Sequence, residues 1–519
     1  MGEPYYITTA INYPNGPPHI GHAYEAIAAD VIARFQRAQG RDVRFQTGTD
    51  EHGLKMAQAA RAEGVEPPAY ADKMAFLFSE LDALLEISYD RFIRTSEPEH
   101  HRASQAIWGA MAEKGDLYLG RYEGWYSVRD EAYYDEAELS EGEGGEKLSP
   151  QGTPVEWTVE ESWFFRLSAY QQRLLDHYQA NPGFIRPESR RNEVVRFVEG
   201  GLSDLSISRT SFDWGVKVPG SESHVMYVWL DALTNYLTGV GYPDVESETY
   251  RKFWPADIHV IGKDVVRFHA VYWPAFLMSA NLPLPRQVFG HGHVLLRGEK
   301  MSKSAGNVLD PFALADRVGV DQLRYFLLRD VTFGQDGSYS SEAIVTRVNA
   351  DLANSFGNLA QRTLSFIAKN CDGVLPVGGM GDEADTDLLA TVQAALADMG
   401  RLFEDLALSQ GIEAWLRAVF ACNQYIDAQA PWALRKTDPE RMFAVLATLC
   451  RAIRDLAIAI QPIIPGSTVK LLDQMGIPAD ERTLAGIGDA EAYARLAVSG
   501  FKLEAPTPIF PRLEMPADA

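Results

Sequence analysis

The chain has 519 residues, 46% of them hydrophobic and 23% charged, and its 48 Lys and Arg against 71 Asp and Glu give a formal net charge of −23. This composition is typical of a folded globular protein and excludes a disordered or collagen-like chain. No stretch reaches the roughly 18 consecutive apolar residues of a membrane span, and the N-terminus lacks a secretory signal, so we expect a cytoplasmic protein of about three to four domains.

The acidic balance and the cysteine spacing limit the classes of binding site. Because phosphate contacts rely on Lys and Arg, a net charge of −23 requires any nucleic-acid contact to be local. Cys371, Cys422 and Cys450 lie far apart without a CxxC pair, which argues against a disulfide framework and against a cysteine zinc site. We therefore predict buried free thiols.

The N-terminal region predicts a strand, a helix and a second strand in succession. Residues 5–11 form a β-rich run that ends at a cluster of Pro and Gly. Apolar residues such as Ile27 and Val31 then recur at helical spacing within a helix predicted over 19–39. A second strand is predicted over 43–47. A strand–helix–strand unit of this kind predicts a parallel sheet.

The middle of the chain interrupts this pattern and then returns to it. Residues 115–220 are rich in aromatic residues, acidic Gly-containing stretches and Arg clusters, which indicates an insertion domain. Strands predicted over 225–230, 257–261 and 288–296 resume the α/β pattern. One sheet is therefore expected to be split in sequence by the insertion.

The last third of the chain predicts a helix bundle. After about residue 345, apolar residues recur at helical spacing. They include Leu352, Phe356, Trp415 and Phe443. The tail after Ala505 is Pro-rich and is expected to be loose.

The first chemical signal is Pro18-His19-Ile20-Gly21-His22, at the predicted strand-to-helix junction. A helix N-terminus offers backbone N–H groups and a positive dipole to phosphate, and two imidazoles three residues apart share one face. Gly21 would let a flat nucleotide base approach the backbone. Taken alone, such a pair is more often a polar cap or a packed surface pair.

The second signal is Lys300-Met301-Ser302-Lys303-Ser304, which supplies two lysines and two hydroxyls. A Lys–phosphate contact at about 4 Å is worth about 4 kcal/mol at an effective dielectric near 20, so this loop could stabilise a leaving pyrophosphate. A solvated surface loop is the alternative. The chain contains neither a Walker A pattern nor G-x-G-x-x-G, so ATP would have to be held in another way.

Together the two signals resemble the signature of class I aminoacyl-tRNA synthetases. Over nearly its whole length the chain resembles the methionyl-tRNA synthetases of that class. The resembling stretches are residues 10–16, 48–53, 227–232, 261–264, 268–269 and 429–432. The resemblance implies an α/β fold: a Rossmann-like parallel sheet split by an insertion (connective) domain, followed by an all-α anticodon-binding helix bundle.

The same resemblance implies a division of the chain into domains. It predicts a first half of the catalytic domain, an insertion, a second half of the catalytic domain, a region with the lysine loop and tRNA-stem contacts, an anticodon-binding domain and a loose tail. The corresponding residues are 1–114, 115–220, 221–299, 300–345, 346–504 and 505–519.

The implied activity is the ligation of L-methionine to tRNA(Met), including the initiator tRNA. ATP, accompanied by Mg²⁺ as its substrate complex, would first convert methionine to methionyl-adenylate with release of pyrophosphate. A terminal ribose hydroxyl of the tRNA would then attack the adenylate carbonyl. Positioning and electrostatic stabilisation should supply most of the acceleration.

The resemblance also assigns site residues. His19 and His22 would stabilise the α-phosphate, Lys300 and Lys303 would follow the departing pyrophosphate, and Arg209 would lie near the reacting groups. The predicted ATP-binding residues are His19, Gly21, His22, Gly262, Lys263, Asp264 and Lys303. The predicted amino-acid pocket contains Ile11, Tyr13, Asp50, Trp229, Ala232, Tyr236, Val265 and His269. The predicted anticodon-binding residues are Asn358, Arg362, Pro431 and Trp432.

Physical arguments support several of these roles. Asp50 directly follows a predicted parallel strand, at the edge where ligands bind, and would pair with the substrate ammonium group. Its alternative role is an N-cap of the next helix. The aromatic and aliphatic pocket suits a polarizable thioether, although core packing would explain each residue singly. Trp432 would stack on an unpaired anticodon base, with burial in the bundle as the alternative.

The sequence departs from many relatives at a zinc-binding knuckle. Where relatives have cysteine pairs, this chain has Ser127-Val128-Arg129-Asp130 and Ser149-Pro150-Gln151-Gly152. Ser is a poor zinc ligand and one Asp cannot complete a tetrahedral site, so we predict no metal and a knuckle held by its aromatic residues. The chain also ends soon after the predicted bundle, which predicts a monomer, and the insertion is too small for a separate hydrolytic editing domain.

Three other functions stay open at this stage. The first is a class I synthetase for another amino acid such as leucine, since one methylene in an apolar pocket discriminates by only about 1–3 kcal/mol. The second is a non-catalytic RNA-binding paralogue, against which the intact His19, His22, Asp50 and lysine loop argue. The third is a metal hydrolase that uses His19, His22 and His52.

Overall fold

The structure is a computed structural model that describes residues 2–130, 132–142, 144–296, 309–377, 381–499, 501–503 and 505–515. The chain divides into two compact units. The first contains residues 3–29 and 42–291, and the second joins residues 30–41 to the chain from 292 onward. Helix α1 (Ile20–Ala38) therefore contributes its beginning to the first unit and its end to the second.

A six-stranded sheet forms the centre of the first unit. Its order is β3-β2-β1-β14-β15-β9, and all five neighbouring pairs are parallel. The strands are β1 (Pro4–Thr9), β2 (Asp42–Thr49), β3 (Arg91–Arg94), β9 (Ile185–Arg186), β14 (Ile258–Gly262) and β15 (Val288–His291). Since β1 pairs directly with β14, although the region 115–220 separates the two strands along the chain, the predicted parallel sheet with a large insertion is confirmed.

Helices accompany the strands of this sheet. Residues such as Ile27 and Val31 on α1 are fully buried, as their helical spacing predicts. The other helices of the first unit are α2 (Leu54–Glu63), α3 (Pro67–Leu84), α4 (Pro98–Glu113), α5 (Gln171–Ala180), α6 (Glu188–Glu199), α7 (Val228–Thr238), α8 (Glu248–Phe253) and α9 (Trp273–Ser279).

Residues 115–220 contain antiparallel strands in place of the parallel pattern. A four-stranded sheet has the order β10-β8-β4-β5, and a three-stranded sheet has the order β11-β13-β12. The strands of this region are β4 (Leu117–Ser127), β5 (Ala132–Tyr134), β6 (Ser140–Glu141), β7 (Lys147–Leu148), β8 (Glu156–Phe165), β10 (Leu205–Ser206), β11 (Ser208–Arg209) and β12 (Lys217–Val218). Strand β13 (Ser221–Met226) follows directly after it. The same region supplies β9, which pairs with β15 at the edge of the parallel sheet.

Two predicted strands are wrong in their bounds. The strand predicted over 225–230 ends at Met226, and α7 begins at Val228, because a short apolar run does not distinguish a buried strand from a buried helix. The strand predicted over 288–296 is broken at Gly292, where a Cβ atom would lie only 2.2 Å from the backbone of Gln335. Only glycine permits that approach.

The second unit is mainly helical, which confirms the predicted all-α region. Its helices are α10 (Pro311–Val318), α11 (Val320–Asp330), α12 (Ser341–Val348), α13 (Asn358–Asn370), α14 (Glu383–Glu404), α15 (Leu408–Gln429), α16 (Pro431–Thr437), α17 (Pro439–Ile460), α18 (Pro465–Gln474) and α19 (Ala490–Val498). A π-helix (Asn349–Gly357) precedes α13, and two short strands, β16 (Val294–Leu296) and β17 (Gly337–Tyr339), pair in parallel.

The bundle core contains most of the residues that helical spacing predicts. Leu352, Phe356 and Trp415 are buried, and the Trp415 indole donates to the carbonyl oxygen of Leu456 at 3.0 Å. Phe443 was expected with them but is 39% exposed, so that assignment is wrong. Its position on α17 lies outside the buried stripe.

The cysteine prediction holds in part. Cys422 and Cys450 are buried and carry free thiols, whereas Cys371 is only half-buried. Burial raises the pKa of both Cys422 and Cys450 to about 12, so these two thiols stay protonated. Across the described part of the chain, none of the helices combines the length and apolar character that a bilayer crossing requires.

Candidate functional site

The candidate site begins at the carboxyl edge of the parallel sheet. After β1, the backbone N–H of Asn12 donates to the carbonyl oxygen of Gly48 at 2.8 Å, and the N–H of Asp50 donates to the carbonyl oxygen of Asn12 at 2.8 Å. On the other side, the N–H of Ala10 donates to a carbonyl oxygen of β14 at 3.0 Å. The segment after β1 thus lies between the ends of β2 and β14, where open parallel sheets bind ligands.

This segment brings Tyr13 to the loop that contains Asp50. The Tyr13 hydroxyl donates to the carbonyl oxygen of His52 at 3.1 Å, and Lys55 Nζ lies 5.0 Å from the centroid of the Tyr13 ring. Asp50 is 7% exposed, and Ile11 and Tyr13 are half-buried. A carboxylate beside apolar and aromatic groups can hold an ammonium group next to an apolar side chain.

Three predicted pocket residues form one hydrogen-bonded chain. His269 Nδ1 lies 2.9 Å from the carbonyl oxygen of Val265, and His269 Nε2 lies 2.6 Å from the Tyr236 hydroxyl. Burial lowers the pKa of His269 to about 4, so the ring is neutral near pH 7. Because a carbonyl oxygen only accepts, Nδ1 donates to Val265 and Nε2 accepts from Tyr236. Burial also raises the pKa of Tyr236 well above its usual value, which keeps that donor protonated.

Aromatic packing surrounds this chain. The rings of Trp229 and Phe268 stack with centroids 3.7 Å apart and an interplanar angle of 5°, and His269 meets Trp229 edge-on at 6.4 Å. Ala232 and Tyr236 follow Trp229 on α7 at helical spacing and are 4% and 1% exposed. The predicted amino-acid pocket, defined by the predicted residues from Ile11 to His269, therefore contains several polarizable aromatic rings.

His19 and His22 lie together at the start of α1. Their rings stack with centroids 3.8 Å apart, and the N–H of His19 donates to His22 Nδ1 at 3.1 Å. The N–H of Gly21 donates to His19 Nδ1 at 3.1 Å, and a Cβ atom at Gly21 would lie 2.9 Å from the His19 ring. A side chain at this position would therefore have to displace the His19 ring. Both rings are half-buried.

The predicted nucleotide residues follow β14. Gly262 ends the strand, and Lys263 begins a short 3₁₀ helix (Lys263–Val265) that exposes Asp264. Two groups that the sequence analysis missed lie at Gly262. Glu25 Oε2 accepts from His291 Nε2 at 2.8 Å, and both side chains come within about 4 Å of a Cβ position at Gly262. Helical spacing from His22 places Glu25 on the same face of α1, a signal that could have identified it.

Arg209 lies in an aromatic enclosure. Its guanidinium carbon is 4.5 Å from the ring centroid of Tyr133, 4.6 Å from that of Tyr227 and 5.6 Å from that of Tyr126. Arg209 Nη1 donates to Ser206 Oγ at 3.0 Å, and the residue is 2% exposed. Cation–π contacts of this kind strengthen when water is excluded. The local sequence around Arg209 gives no sign of this enclosure, because two of its three tyrosines lie far from Arg209 along the chain.

The knuckle without cysteines contains a polar cluster. Asp130 Oδ2 accepts from Ser149 Oγ at 2.5 Å, from Thr153 Oγ1 at 2.6 Å and from the Tyr134 hydroxyl at 3.0 Å. Ser127 Oγ lies 2.7 Å from Thr153 Oγ1. Within the described ranges, no group of three or more His, Cys, Asp or Glu side chains is arranged to hold a metal ion.

The predicted anticodon residues lie in the second unit. Arg362 Nη2 donates to Asp427 Oδ1 at 2.7 Å, and its guanidinium carbon lies 5.4 Å from the Trp432 ring centroid. Asn358 begins α13 and is exposed, Trp432 is 48% exposed, and Pro431 is buried at the start of α16. The anticodon patch, defined as Asn358, Arg362 and Trp432, offers a stacking ring and hydrogen-bonding groups to solvent.

Lys300 and Lys303 lie outside the described residues, so their predicted roles stay predictions. The structure brings most of the other predicted residues to the sheet edge or to the anticodon patch. It also reveals buried groups to which the sequence assigned no role, above all Asp231 and His100, whose partners are distant along the chain.

Comparisons with known proteins agree over the whole length. Residues 5–364 match the family described as tRNA synthetases class I (M), and residues 375–516 match the anticodon binding domain of methionyl tRNA ligase. The methionine–tRNA ligase of Brucella suis is 59% identical, with 98% of each chain covered, and that of Rhizobium meliloti is 56% identical, with 99% of each covered. A Mycobacterium tuberculosis methionyl-tRNA synthetase in complex with methionyl-adenylate matches with a TM-score of 0.94 and 55% identity, covering 98% of this chain and 100% of that one.

Proposed function

The chain belongs to the methionyl-tRNA synthetases of class I, and we propose that it ligates L-methionine to tRNA(Met) in two steps. ATP activates methionine to methionyl-adenylate, and the methionyl group then passes to the 3′ end of the tRNA, initiator tRNA included. The observation that carries the proposal is the amino-acid pocket, where a neutral His269, Tyr236 and stacked aromatic rings lie beside the strand end that presents Asp50.

The first step is an in-line displacement at the α-phosphate. A carboxylate oxygen of methionine bonds to the α-phosphorus while the bond to the pyrophosphate oxygen breaks. His19 and His22, paired at the start of α1, would donate to the α-phosphate oxygens as charge develops there. Lys300 and Lys303 would follow the pyrophosphate as it leaves.

Methionine would be held at both of its ends. The Asp50 carboxylate would pair with the ammonium group, and the thioether would lie among Tyr13, Trp229 and the Tyr236–His269 pair. Ile11, Ala232 and Val265 would complete the apolar wall. Because the His269 ring is neutral and its two nitrogens are engaged by Val265 and Tyr236, the pocket presents no charge to the thioether.

ATP would be bound at the end of β14. Gly21 and Gly262 leave room for the nucleotide, while Lys263 and Asp264 supply a cation and a carboxylate to the ribose and base. Mg²⁺ enters with ATP as part of the substrate complex. In the second step a terminal ribose hydroxyl of the tRNA attacks the adenylate carbonyl, loses its proton, and displaces AMP. Arg209, enclosed by three tyrosine rings, would hold its positive charge near the reacting groups.

Recognition of the tRNA would take place in the anticodon patch. The half-exposed Trp432 ring is available for stacking on an unpaired base, and Asn358 and Arg362, one helical turn apart on α13, would contact that base or its backbone. Pro431 begins α16 and so fixes the position of the following Trp432. A local patch of this kind reconciles an RNA partner with the net charge of −23.

We further propose that the knuckle needs no zinc. The hydroxyl groups of Ser149, Thr153 and Tyr134 converge on Asp130, and these hydrogen bonds cross-link the same segments that a metal would join. Elemental analysis of the purified protein should find less than a stoichiometric amount of zinc. One zinc ion per chain after dialysis would contradict this proposal.

Assembly, location and selectivity complete the proposal. We expect a monomer in the cytoplasm. Static light scattering should give the mass of one chain, whereas a stable dimer at micromolar concentration would contradict this expectation.

Amino-acid selection would rest only on the pocket in which the adenylate is made. Discrimination against leucine should then be limited to what an apolar pocket supplies, about 1–3 kcal/mol per methylene.

The decisive experiment is ATP–pyrophosphate exchange with a panel of methionine, leucine, isoleucine, valine and cysteine. Exchange with methionine that is lost in Lys303→Ala would support the adenylation step. Exchange with leucine that is stronger than exchange with methionine would favour a different class I synthetase, and exchange with none would favour a non-catalytic RNA-binding paralogue. Activity that a chelator abolishes without ATP would favour a metal hydrolase.

A further inference from the structure

A buried array of two imidazoles and one carboxylate lies behind the amino-acid pocket. Asp231 Oδ2 lies 2.6 Å from His52 Nδ1, and Asp231 Oδ1 lies 2.7 Å from His100 Nε2. The exposed fractions of the three residues are 0% for Asp231, 0% for His100 and 2% for His52. The steps proposed above use none of these groups.

Hydrogen bonds hold both nitrogens of the His100 ring. His100 Nδ1 lies 3.0 Å from the Thr238 hydroxyl, which lies 3.1 Å from the carbonyl oxygen of Thr234. His100 Nε2 faces the Asp231 carboxylate, which only accepts when it is ionised. Ser104 Oγ also lies 3.2 Å from His100 Nε2, so side chains of α4 and α7 engage both nitrogens of the buried ring.

The ionised state of Asp231 agrees with this arrangement. Burial by itself would raise the pKa of Asp231, but the adjacent His52 and His100 rings outweigh burial and lower that pKa below its usual value. Both oxygens of the carboxylate are thus committed, one to each ring. A buried carboxylate with both oxygens engaged is fixed in position, since moving it would leave a charge without a partner.

The array joins two elements of the amino-acid pocket that are far apart in sequence. Asp231 lies on α7 between Trp229 and Ala232, and His52 lies two residues after Asp50. The two residues are separated by 179 positions along the chain. The hydrogen bond between them therefore ties the loop that presents Asp50 to the helix that presents the apolar wall.

Two further contacts fix the same loop. The Trp214 indole donates to the carbonyl oxygen of Glu51 at 2.6 Å and meets the His52 ring edge-on at 5.0 Å. The Tyr13 hydroxyl donates to the carbonyl oxygen of His52. His52 is therefore held by its ring and by its backbone, and its Nδ1 faces the Asp231 carboxylate.

We propose that Asp231 is a positioning residue for methionine binding: through His52 it sets the distance between the Asp50 carboxylate and the apolar wall on α7. The inference rests on the proposed function, because it concerns the site assigned there to methionine. A misplacement of about 1 Å far from the reacting atoms can cost about 100-fold in rate. The array would act on the amino-acid substrate and leave the ATP site at the end of β14 unaffected.

The test is steady-state ATP–pyrophosphate exchange by the full-length wild type and four variants. Asp231→Asn replaces one acceptor with a donor, and His52→Ala removes the ring. His52→Asn keeps a donor near the position of Nδ1. The Asp231→Asn/His52→Ala double variant tests whether the two changes break one shared interaction.

We expect the KM for methionine to rise about tenfold or more in Asp231→Asn and in His52→Ala, with the KM for ATP within about twofold of wild type. His52→Asn should recover most of the wild-type KM for methionine. The KM for methionine of the double variant should be no higher than that of the more impaired single variant, because each single change already breaks the His52–Asp231 hydrogen bond. Should Asp231→Asn fail to fold, the two His52 variants carry the same comparison.

Asp116→Asn serves as the matched control. Asp116 is a partly buried carboxylate that accepts from the hydroxyls of Tyr170 and Ser279 and has no place in the proposed site. The Asp116→Asn change should lower the thermal stability of the protein and leave the KM for methionine unchanged. If Asp231→Asn and His52→Ala behave like Asp116→Asn, the array is only structural and the inference is overturned. Wild type without methionine-dependent exchange would overturn the proposed function and this inference with it.

Discussion

The amino-acid pocket and the anticodon patch contain similar side chains, but those of the pocket are buried and those of the patch are exposed to solvent. In the pocket, Tyr236 and His269 are 1% and 2% exposed and hydrogen-bond to each other at 2.6 Å. In the anticodon patch, Trp432 is 48% exposed and the Arg362 side chain is 33% exposed. The first region is fixed before its ligand arrives, whereas the second presents solvated groups that can adjust to an RNA loop.

This difference has an energetic consequence. A buried polar group whose partner is removed costs the full free energy of its desolvation, and neighbouring hydrogen bonds in a chain such as Val265–His269–Tyr236 weaken with it. An exposed group recovers hydrogen bonds from water. Substitutions in the pocket should therefore affect both substrate binding and stability, and those in the anticodon patch should affect tRNA binding alone.

The largest expected effect follows from Asp50→Asn. The change keeps the size of the side chain but removes the negative charge proposed to pair with the methionine ammonium group. Because Asp50 is 7% exposed, water can compensate little for the lost charge. In pyrophosphate exchange, kcat/KM for methionine should therefore fall roughly a thousandfold, which corresponds to about 4 kcal/mol. The KM for ATP should change little. A loss of less than about tenfold would place the ammonium partner elsewhere.

The position of Asp50 shows what the sequence could predict. A β-rich run followed by an acidic residue predicts a carboxylate at the edge of a parallel sheet, and β2 ends at Thr49 as that pattern requires. The helix after β1 and its His19–His22 pair were predictable for the same reason, since capping and spacing are local features. The family resemblance then added residues such as Trp229 and His269, which no local pattern distinguishes from core.

Other features could not be predicted because they depend on distant partners. The two-residue strand β9 is too short for any periodicity, and its pairing with β15 exists only in the folded chain. The Ser127, Asp130, Ser149 and Thr153 cluster was visible only as missing cysteines, since its hydrogen bonds span up to 26 positions. The knuckle was therefore expected to be held by aromatic residues, whereas the structure adds a polar cluster.

The second prediction uses pH to test whether water is excluded from the His269 side chain in the pocket. The pKa of His269 is lowered by burial from 6.5 to about 4 in the folded chain. On acidification the unfolded chain takes up this proton first, so the histidine's contribution to the free energy of unfolding is present at pH 7 and is lost as the pH falls toward 4. The loss should be about 3 kcal/mol.

Urea unfolding of wild type and of His269→Gln at pH 7 and pH 4.5 measures this effect. Glutamine does not titrate in this range, so the free energy of unfolding of the variant should decline less between the two pH values, by about 2–3 kcal/mol. The KM for methionine should also rise in acid for wild type, because a protonated Nε2 no longer accepts from Tyr236. Equal declines for both proteins would show that the ring is solvated.

The third prediction concerns Trp432→Ala in the anticodon patch. Loss of a stacking ring should raise the KM for tRNA about tenfold to 100-fold, since stacking contributes about 1–3 kcal/mol per base. With 48% of the residue exposed, thermal stability should change little, and pyrophosphate exchange without tRNA should be that of wild type. Trp432→Phe should keep part of the tRNA affinity.

Phe443→Ala is the control for Trp432. Phe443 is another exposed aromatic residue of the second unit, at 39%, and has no proposed RNA contact. Its removal should leave the KM for tRNA unchanged in aminoacylation assays. If both variants raise the KM for tRNA alike, the effect is not specific to the anticodon patch. The exposure of this patch would then not explain tRNA binding.

The smallest effect is expected for Asp427→Asn, which removes the partner of Arg362. The two side chains are 64% and 33% exposed and lie 2.7 Å apart, so the ion pair should contribute less than about 1 kcal/mol to the free energy of unfolding. Asp385→Asn gives the buried counterpart within the same unit. Asp385 is 5% exposed and is held by two bonds from Arg441, at 2.6 Å and 2.7 Å, and its loss should cost about 3–5 kcal/mol.

Denaturant unfolding of these two variants, with tRNA aminoacylation alongside, separates the consequences of burial from those of charge. Both changes replace one carboxylate that pairs with an arginine, so charge alone would predict similar results. If exposure decides, Asp385→Asn should unfold at much lower denaturant, and Asp427→Asn should keep its stability. Asp427→Asn should bind tRNA as well as wild type or better, because Arg362 loses a competing anion beside the Trp432 ring. Equal destabilisation by the two variants would mean that the exposed Arg362–Asp427 pair is held as firmly as the buried Arg441–Asp385 pair.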